Sequence, residues 1–309
     1  MTGCDDCMDA SNLHRKILVT GANGLLGQYL VRQLLDQQYQ VIAMGRGSDR
    51  LPFAGRPGYR YLESDLRNDD DLHKLLINER PASIVHAAAL TQVDYCEKHQ
   101  EECFDINVSG TARLLNHAHG CEHFIYVSTD FVFDGEKGHY LEDDVTCPVN
   151  WYGVTKQKAE QLTKESKVPY TIVRTCLVYG RNLPGTRSNI ISWTKEKLEK
   201  KEPISVVADQ FRTPTHVEDL SKGILLVLQK KAQGIFHISG KDTLTPYDMA
   251  MQAAGYFGLD TTLISKVNAD SFRQPARRPL KTGFVIDKAR RLLGYEPMSF
   301  EDGLKCAPP

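Results

Sequence analysis

A short apolar segment followed by a glycine-rich turn constrains this chain more than any other feature. The segment KILVT (16–20) has the length and composition of a buried parallel strand, and the turn after it is TGANGLLG, with Gly21, Gly24 and Gly27. Residues 25–35 then place apolar side chains at helical spacing. A strand, a tight glycine turn and a helix in this order predict a βα unit that binds phosphate at the start of the helix.

The same alternation of strand and helix continues for about 160 residues. Further strands are predicted at 40–44, 59–64, 123–128 and 170–174, a strand with its exit at 83–89, and helices at 69–78, 94–118 and 151–166. This order predicts an α/β fold with a doubly wound parallel Rossmann sheet.

The regularity weakens after Val178. Helices are predicted there at 188–199, 217–230, 245–257 and 286–293, and a strand at 235–239. We therefore expect three parts: a flexible tail at 1–15, an NAD(P)-binding Rossmann domain at 16–178, and a smaller, mainly substrate-binding lobe at 179–309 that is partly threaded back to the sheet.

Composition excludes several classes of protein. The formal net charge is -1 with 25% charged residues, so no broad polyanion-binding face and no nucleic-acid partner are expected. No apolar run is long enough to cross a bilayer, and the polar, acidic N-terminus does not resemble a secretory signal, so a cytoplasmic protein with no membrane partner is expected. The eight cysteines are then interpreted as free thiols. Cys4 and Cys7 lack a second pair, which favours incidental cysteines over a metal site.

The glycine turn and the end of the second strand predict the cofactor. Gly21 allows the tight turn, Gly24 lets the backbone approach a pyrophosphate, and Gly27 permits close packing of helix on strand. An acid after the second strand binds the 2′-hydroxyl of NAD, whereas this chain has Arg46, whose guanidinium suits the 2′-phosphate of NADPH. Asp49 keeps NADH as the lesser option, and a solvated loop charge is the alternative interpretation of Arg46.

Two later segments are placed, by their position after strands, to contact the adenosine half of the dinucleotide. A carboxylate after the third strand could accept the adenine amino group, and small residues after the fourth strand would let the backbone approach the cofactor. The predicted cofactor-binding residues are Gly21, Asn23, Gly24, Leu25, Leu26, Gly27, Arg46, Asp65, Leu66, Ala87, Ala88, Ala89, Asn107, Tyr152 and Lys156.

Tyr152 and Lys156 carry the strongest catalytic signal. At positions i and i+4 they share one face of a helix. A free phenol has a pKa of about 10, and a nearby ammonium is expected to lower the pKa of Tyr152, so that it could act as a general acid near neutral pH. Lys156 could also hold the nicotinamide ribose hydroxyls. Thr129, at the carboxyl end of the fifth strand, can donate a hydrogen bond to a substrate carbonyl.

TGANGLLG, NVSGT (107–111), STD (128–130) and YGVTK (152–156) together resemble the extended short-chain dehydrogenase/reductase family over the chain from Lys16 onward. The resemblance implies that Thr129, Tyr152 and Lys156 are the catalytic triad, with hydride passing from nicotinamide to a carbonyl carbon and Tyr152 protonating the oxygen. It also implies that Asn107 supports the lysine through water, for which capping or packing is the alternative.

Four further segments are similar to the dTDP-4-dehydrorhamnose reductase branch of that family. They are STDFVFDG (128–135), FRTPTHVEDL (211–220), GIFHISG (234–240) and RRPLKTGF (277–284), with Thr282 where serine is usual. The resemblance implies NADPH-dependent reduction of a 4-keto group on a sugar nucleotide. Dehydratases of the family carry Thr-Asp-Glu, but Phe131 occupies the place of the second acid here, and the Ser-Ser stretch of the epimerases is absent.

The substrate site is less constrained by the sequence. The predicted substrate-binding residues are Asp130, Phe131, Arg212 and Arg278, with Arg181 as a further candidate for the diphosphate. Each arginine could equally be structural. Phe211 or Trp151 could stack on a base or belong to the core. The acids at 142–144 show no metal-ligand spacing, so no metal is predicted, although some rhamnose reductases use acids and magnesium to dimerise; a homodimer is the default assembly.

Two alternatives stay open. The regulatory β subunit of methionine adenosyltransferase has the same fold and a similar Ser-Asp-Tyr-Val-Phe-Asp-Gly run, binds NADP and partners an enzyme without catalysis of its own. A reductase or epimerase of another sugar nucleotide would share the whole cofactor half of the chain.

Overall fold

Seven short parallel strands form the central sheet of the computed structural model, which describes residues 15–181 and 186–306. The strands of the described residues, including four outside the central sheet, are β1 Lys16–Thr20, β2 Gln40–Gly45, β3 Tyr59–Glu63, β4 Ser83–His86, β5 His123–Thr129, β6 Tyr170–Thr175, β7 Val178–Tyr179, β8 Ile204–Val207, β9 Thr215–His216, β10 Gly234–His237 and β11 Ile264–Val267. The order in the central sheet is β10-β6-β5-β4-β1-β2-β3. The order reverses between β1 and β4, and a crevice for ligands lies at the carboxyl ends of the strands at such a point.

Helices cover both faces of this sheet. They are α1 Leu25–Asp36, α2 Asp69–Glu79, α3 Val93–Lys98, α4 Gln100–Phe104, α5 Gly110–His117, α6 Trp151–Glu165, α7 Ile190–Glu199, α8 Val217–Gln229, α9 Pro246–Tyr256, α10 Asp287–Leu293 and α11 Phe300–Lys305. Side chains of β1 alternate between two cores, because successive residues of a strand point to opposite faces. Val19 packs with residues of α1 and α8, and Leu18 packs with residues of α2, α5 and α6. The predicted doubly wound α/β sheet is confirmed.

The structure corrects one predicted element and sets the bounds of two others. The long helix expected at 94–118 is divided into α3, α4, a π-helical turn at Asp105–Ser109 and α5. The fourth strand ends at His86, and the alanines lie in the loop after it, in agreement with the predicted strand and exit at 83–89. The predicted strand at 235–239 forms as β10 and pairs in parallel with β6 at the edge of the central sheet.

The remaining C-terminal elements form a smaller cluster beside the sheet. Within it, β8 pairs with β11 and β7 pairs with β9, both in parallel. Residues of α9 and α11, including Met249 and Phe300, pack on Tyr179 from β7. Among the described helices, none is long and apolar enough to cross a membrane.

Candidate active site

The glycine turn after β1 has the geometry of a phosphate cradle. Gly21 has a φ of +70°, and a Cβ there would lie 2.8 Å from the backbone nitrogen of Ala88. A Cβ on Gly27 would lie 2.3 Å from the carbonyl oxygen of Gly21. Gly24 is the N-cap of α1 and supplies no side chain to the first-turn amides, which leaves them available to an anion. These residues fit the pyrophosphate of a dinucleotide, and Leu25 begins the helix that follows.

The loop after β2 presents a cation where the adenosine ribose of such a dinucleotide would lie. Arg46 is exposed at the end of the strand. The carboxylate of Asp49 accepts hydrogen bonds from the backbone nitrogen of Leu51 at 2.9 Å and from the hydroxyl of Tyr59 at 2.8 Å. The carboxylate of Asp49, the residue that left NADH as the lesser option, therefore has partners within the loop, and a contact between Arg46 and a 2′-phosphate stays a prediction.

The side chain of Asn23 forms hydrogen bonds with the loop after β2. Its amide donates to the carbonyl oxygen of Ser48 at 3.1 Å and to the hydroxyl of Tyr61 at 2.8 Å, and its oxygen accepts from the backbone nitrogen of Arg50 at 3.1 Å. The side chain is buried. Its contacts join the glycine turn to the β2 loop, and a direct contact between Asn23 and a cofactor stays a prediction.

Asp65 lies after β3, and its carboxylate accepts hydrogen bonds from Arg67, a residue that the sequence analysis missed. Arg67 donates through Nε at 3.1 Å and through Nη2 at 2.7 Å. The same arginine lowers the pKa of Asp65. Leu66 is buried and its carbonyl oxygen accepts from Arg113 at 3.2 Å. The half-buried Ala87 begins the loop after β4.

Thr129, Tyr152 and Lys156 meet where β5 ends against α6. All three are buried. The ammonium of Lys156 donates to the carbonyl oxygen of Val127 on β5 at 2.8 Å. A Cβ on Gly153 would lie 2.1 Å from the carbonyl oxygen of Phe131, so only glycine lets α6 approach the strand end this closely. The structure thus brings the three predicted catalytic side chains to one place.

Burial is the largest cause of the pKa shifts of Tyr152 and Lys156. It raises the pKa of Tyr152, an effect that a hydrogen bond with Thr129 opposes. It lowers the pKa of Lys156 to about 7, opposed by the charge of Glu160. The expectation that Lys156 lowers the pKa of Tyr152 is therefore wrong for this arrangement, because desolvation of the phenol outweighs any nearby cation. The phenol stays protonated at neutral pH, which is the state that a proton donor requires.

Asn107 lies on the π-helical turn and braces α6. Its oxygen accepts from the backbone nitrogen of Leu90 at 2.7 Å, while its amide donates to the carbonyl oxygen of Leu90 and the hydroxyl of Thr155, each at 3.1 Å. These contacts connect the loop after β4 to the catalytic helix. Support of Lys156 through a water molecule stays a prediction.

His86 is a buried residue that the sequence analysis missed, and its contacts connect Asn107 to the end of β1 before the glycine turn. Thr20 Oγ1 accepts from the backbone nitrogen of Ala88 at 3.1 Å and lies 2.7 Å from His86 Nδ1. His86 Nε2 lies 3.0 Å from Thr111 Oγ1, which donates to the carbonyl oxygen of Asn107 at 2.7 Å. Burial lowers the pKa of His86 to about 3. The neutral ring therefore donates from Nε2 and accepts at Nδ1.

Asp130 is buried and held by several neighbours. Its carboxylate accepts from the hydroxyl of Thr129 at 3.0 Å, from the thiol of Cys176 at 3.3 Å and from the hydroxyl of Thr282. The guanidinium of Arg212 lies 3.8 Å away. Phe131 follows it in the chain and is half-buried.

The predicted diphosphate arginines have protein partners in the structure. Arg212 is buried and donates to the carbonyl oxygens of Pro279 at 2.6 Å and Leu280 at 2.9 Å. Arg278 is partly exposed and pairs with Asp94 at 2.7 Å. The structure therefore gives Arg212 a structural role, and a diphosphate contact of either arginine stays a prediction.

The other candidate substrate-binding residues lie on separate parts of the chain. Arg181 is exposed and ends the first described range. Phe211 is 38% exposed, and Trp151 donates its indole N–H to the carbonyl oxygen of Gln100 at 2.9 Å. Within residues 15–181 and 186–306, no group of three or more histidine, cysteine, aspartate or glutamate side chains could hold a metal ion. Cys4 and Cys7 lie outside the described residues.

A dinucleotide crevice at the switch point of a Rossmann sheet, with threonine, tyrosine and lysine at its end, defines an oxidoreductase site of the extended short-chain dehydrogenase/reductase type. A family model described as the RmlD substrate binding domain matches residues 15–307. The chain belongs to that family, and the resemblance predicted from its motifs is confirmed.

Individual relatives show how varied the family is. The chain is 27% identical over 305 residues to dTDP-4-dehydrorhamnose reductase of Aggregatibacter actinomycetemcomitans, covering 94% of this chain and 97% of that protein. It is 31% identical over 299 residues to methionine adenosyltransferase 2 subunit beta of Bos taurus, covering 94% and 86%. A crystal structure of dTDP-4-dehydrorhamnose reductase from Bacillus anthracis in complex with NADP has a TM-score of 0.82 and 29% identity, covering 94% and 98%.

Proposed function

We propose that this protein is an NADPH-dependent reductase of a 4-keto sugar nucleotide, similar to the dTDP-4-dehydrorhamnose reductases. The observation that carries the proposal is the buried meeting of Thr129, Tyr152 and Lys156 beside a dinucleotide crevice. Bound NADPH would supply the hydride. The Thr129 hydroxyl, which donates to Asp130 in the structure, would turn to donate to the substrate carbonyl oxygen instead. Tyr152 would pass that oxygen a proton, and the ammonium of Lys156 would hold the ribose hydroxyls.

The position after Thr129 favours reduction over elimination of water. Elimination in the family's dehydratases uses an aspartate and a glutamate that follow the threonine. Here Asp130 already accepts hydrogen bonds from Thr129, Cys176 and Thr282, and Phe131 has no proton to exchange. The chain keeps the groups that a carbonyl reduction requires and lacks the second acid.

The sugar nucleotide would enter beside the loops that carry Arg181, Phe211 and Arg278. Phe211 offers an exposed aromatic face for a base, and Arg278 offers a guanidinium that can exchange Asp94 for a diphosphate. Arg212 would act indirectly, by holding the backbone at Pro279 and Leu280 in place.

The test is to follow NADPH absorbance with dTDP-4-dehydro-rhamnose and a panel of related keto-sugar nucleotides, using the Tyr152→Phe variant as the control. Turnover by the unaltered protein with at least one of these compounds, lost in the variant, would support the proposal. Binding of NADPH with turnover of none of them would contradict it.

A second candidate is a non-catalytic NADP-binding subunit, which the 31% identity to the bovine methionine adenosyltransferase subunit favours. Size-exclusion chromatography with a methionine adenosyltransferase catalytic subunit tests this. A stable complex, together with no turnover of the keto-sugar panel, would support the subunit function. Keto-sugar turnover without complex formation would exclude it.

A further inference from the structure

A buried ion pair lies one helical turn beyond the catalytic lysine. The side chains of Glu160 on α6 and Arg174 on β6 are each 1% exposed. Arg174 donates through Nη2 to Glu160 Oε2 at 2.7 Å and through Nε to Oε1 at 2.9 Å. Ser128 Oγ donates to the same Oε1 at 2.6 Å. The carboxylate therefore accepts three hydrogen bonds without contact with solvent.

Three consecutive residues of β5 connect this ion pair to the catalytic site. The carbonyl oxygen of Val127 accepts from the ammonium of Lys156 at 2.8 Å, Ser128 binds Glu160, and Thr129 supplies the catalytic hydroxyl. Arg174 is the register partner of Ser128 on the neighbouring strand. Glu160 and Lys156 thus attach α6 to the sheet at two adjacent points beside Thr129.

We propose that Glu160 is a positioning residue for Lys156: it attaches the catalytic helix to β5 and β6 and places a buried carboxylate one helical turn from the lysine. The proposal adds to the family's threonine, tyrosine and lysine a fourth group that acts through the lysine. It rests on the proposed function only in taking a charged Lys156 as the group that holds the ribose of the dinucleotide.

The surroundings of Lys156 explain why a nearby anion matters. The ring face of Tyr126 from β5 lies 4.2 Å from Nζ, and Tyr152 shares the helix. His86 from β4 also faces the site, and its pKa, lowered by burial to about 3, leaves it neutral. Burial lowers the pKa of Lys156 to about 7, and the charge of Glu160 opposes that shift ahead of a smaller effect from Cys103.

The sign of the expected pH dependence follows from these charges. Ribose hydroxyls accept hydrogen bonds from the ammonium, so binding favours protonated Lys156. Below a pKa of about 7 the lysine is already charged and affinity is constant; above it, affinity falls by up to about tenfold per pH unit. Loss of the Glu160 charge lowers the pKa of Lys156, so the fall would begin at lower pH.

The experiment compares the pH dependence of the NADPH dissociation constant, measured by cofactor fluorescence, in matched variants. Glu160→Gln removes the charge and keeps the shape, whereas Ser128→Ala removes one hydrogen bond and keeps the charge. We expect Glu160→Gln to move the fall in affinity to lower pH by about one unit, a tenfold weaker affinity at pH 8. We expect Ser128→Ala to leave the position of the fall unchanged and Lys156→Met to abolish it.

A structural role alone would give the same pH profile in the unaltered protein and Glu160→Gln, and that result would overturn the proposal. Because Glu160→Gln leaves Arg174 unpaired, the double variant Glu160→Gln/Arg174→Met removes that unpaired cation as well. Since the loss of a cation opposes the loss of an anion, its fall in affinity should lie between those of the unaltered protein and Glu160→Gln. An NMR titration of the lysine Cε resonances without cofactor, assigned with Lys156→Met, measures the same pKa in the folded protein. This second measurement decides the proposal even if the protein fails to bind NADPH or to reduce a keto sugar.

Discussion

Replacing Thr282 by valine tests whether Asp130 is held as a buried carboxylate. Thr282 is fully buried and donates its hydroxyl to Asp130, which is itself 3% exposed. Valine has nearly the same shape but no donor. A hydrogen bond to a charged group contributes about 1.5–3 kcal/mol, and its loss leaves a buried acceptor position without a partner. We therefore expect Thr282→Val to lower the free energy of unfolding by about 2 kcal/mol.

The matched control is Thr282→Ser, which keeps the hydroxyl and removes one buried methyl group. That loss is about 0.8 kcal/mol, so urea unfolding should rank the unaltered protein above Thr282→Ser and Thr282→Val lowest. If the valine variant unfolds at the same or a higher urea midpoint than the serine variant, the hydrogen bond does not hold Asp130 and the argument is refuted. Because Asp130 also accepts from Thr129, the valine variant should lose catalytic rate with little loss of NADPH affinity.

Three further results are expected from changes at the cofactor and catalytic sites. Tyr152→Phe should lose at least ~10²-fold in rate, the scale of general acid catalysis, while equilibrium binding of NADPH is kept; full activity would contradict the mechanism. Arg46→Ala should weaken NADPH by roughly tenfold or more and leave NADH nearly unchanged, since only the 2′-phosphate gains a charge-assisted hydrogen bond, and equal effects in a binding titration would argue against this role. Gly27→Ala should abolish tight NADPH binding and lower the melting temperature, because its Cβ would lie 2.3 Å from a backbone oxygen; Gly255→Ala, which meets nothing within 4 Å in α9, is the control and should be neutral or stabilising.

Much of the fold and part of the site could be predicted because they depend on local patterns. Strand and helix positions follow from the spacing of apolar residues, and the observed bounds of α1 and β1 agree with the prediction within a residue. The catalytic pair was visible because Tyr152 and Lys156 are four residues apart on one helix. The division of the helix after Val93 was missed, since the sequence continues with helical spacing through the π-helical turn.

The long-range partners could not be predicted. Arg67 binds the carboxylate of Asp65, which was predicted to meet adenine. Arg212, predicted at a diphosphate with a structural role as the alternative, is buried among backbone carbonyl oxygens. Both ligand contacts stay predictions. Which polar group meets which depends on how separate strands and loops pack, and no spacing along the chain specifies it. The chain of contacts from Thr20 through His86 illustrates this, because its members come from three different elements.

The class of fold, the phosphate turn and the tyrosine–lysine pair can be predicted from the chain alone, since each is specified within one strand, turn or helix. The protonation of Tyr152 and Lys156 depends instead on how the folded chain packs around them. A phenol and an ammonium four residues apart suggested a lowered phenol pKa, but burial raises the pKa of Tyr152 and lowers that of Lys156 to about 7. Desolvation depends on everything packed around a group, and for Lys156 this includes Glu160, held by Ser128 and Arg174 from two neighbouring strands.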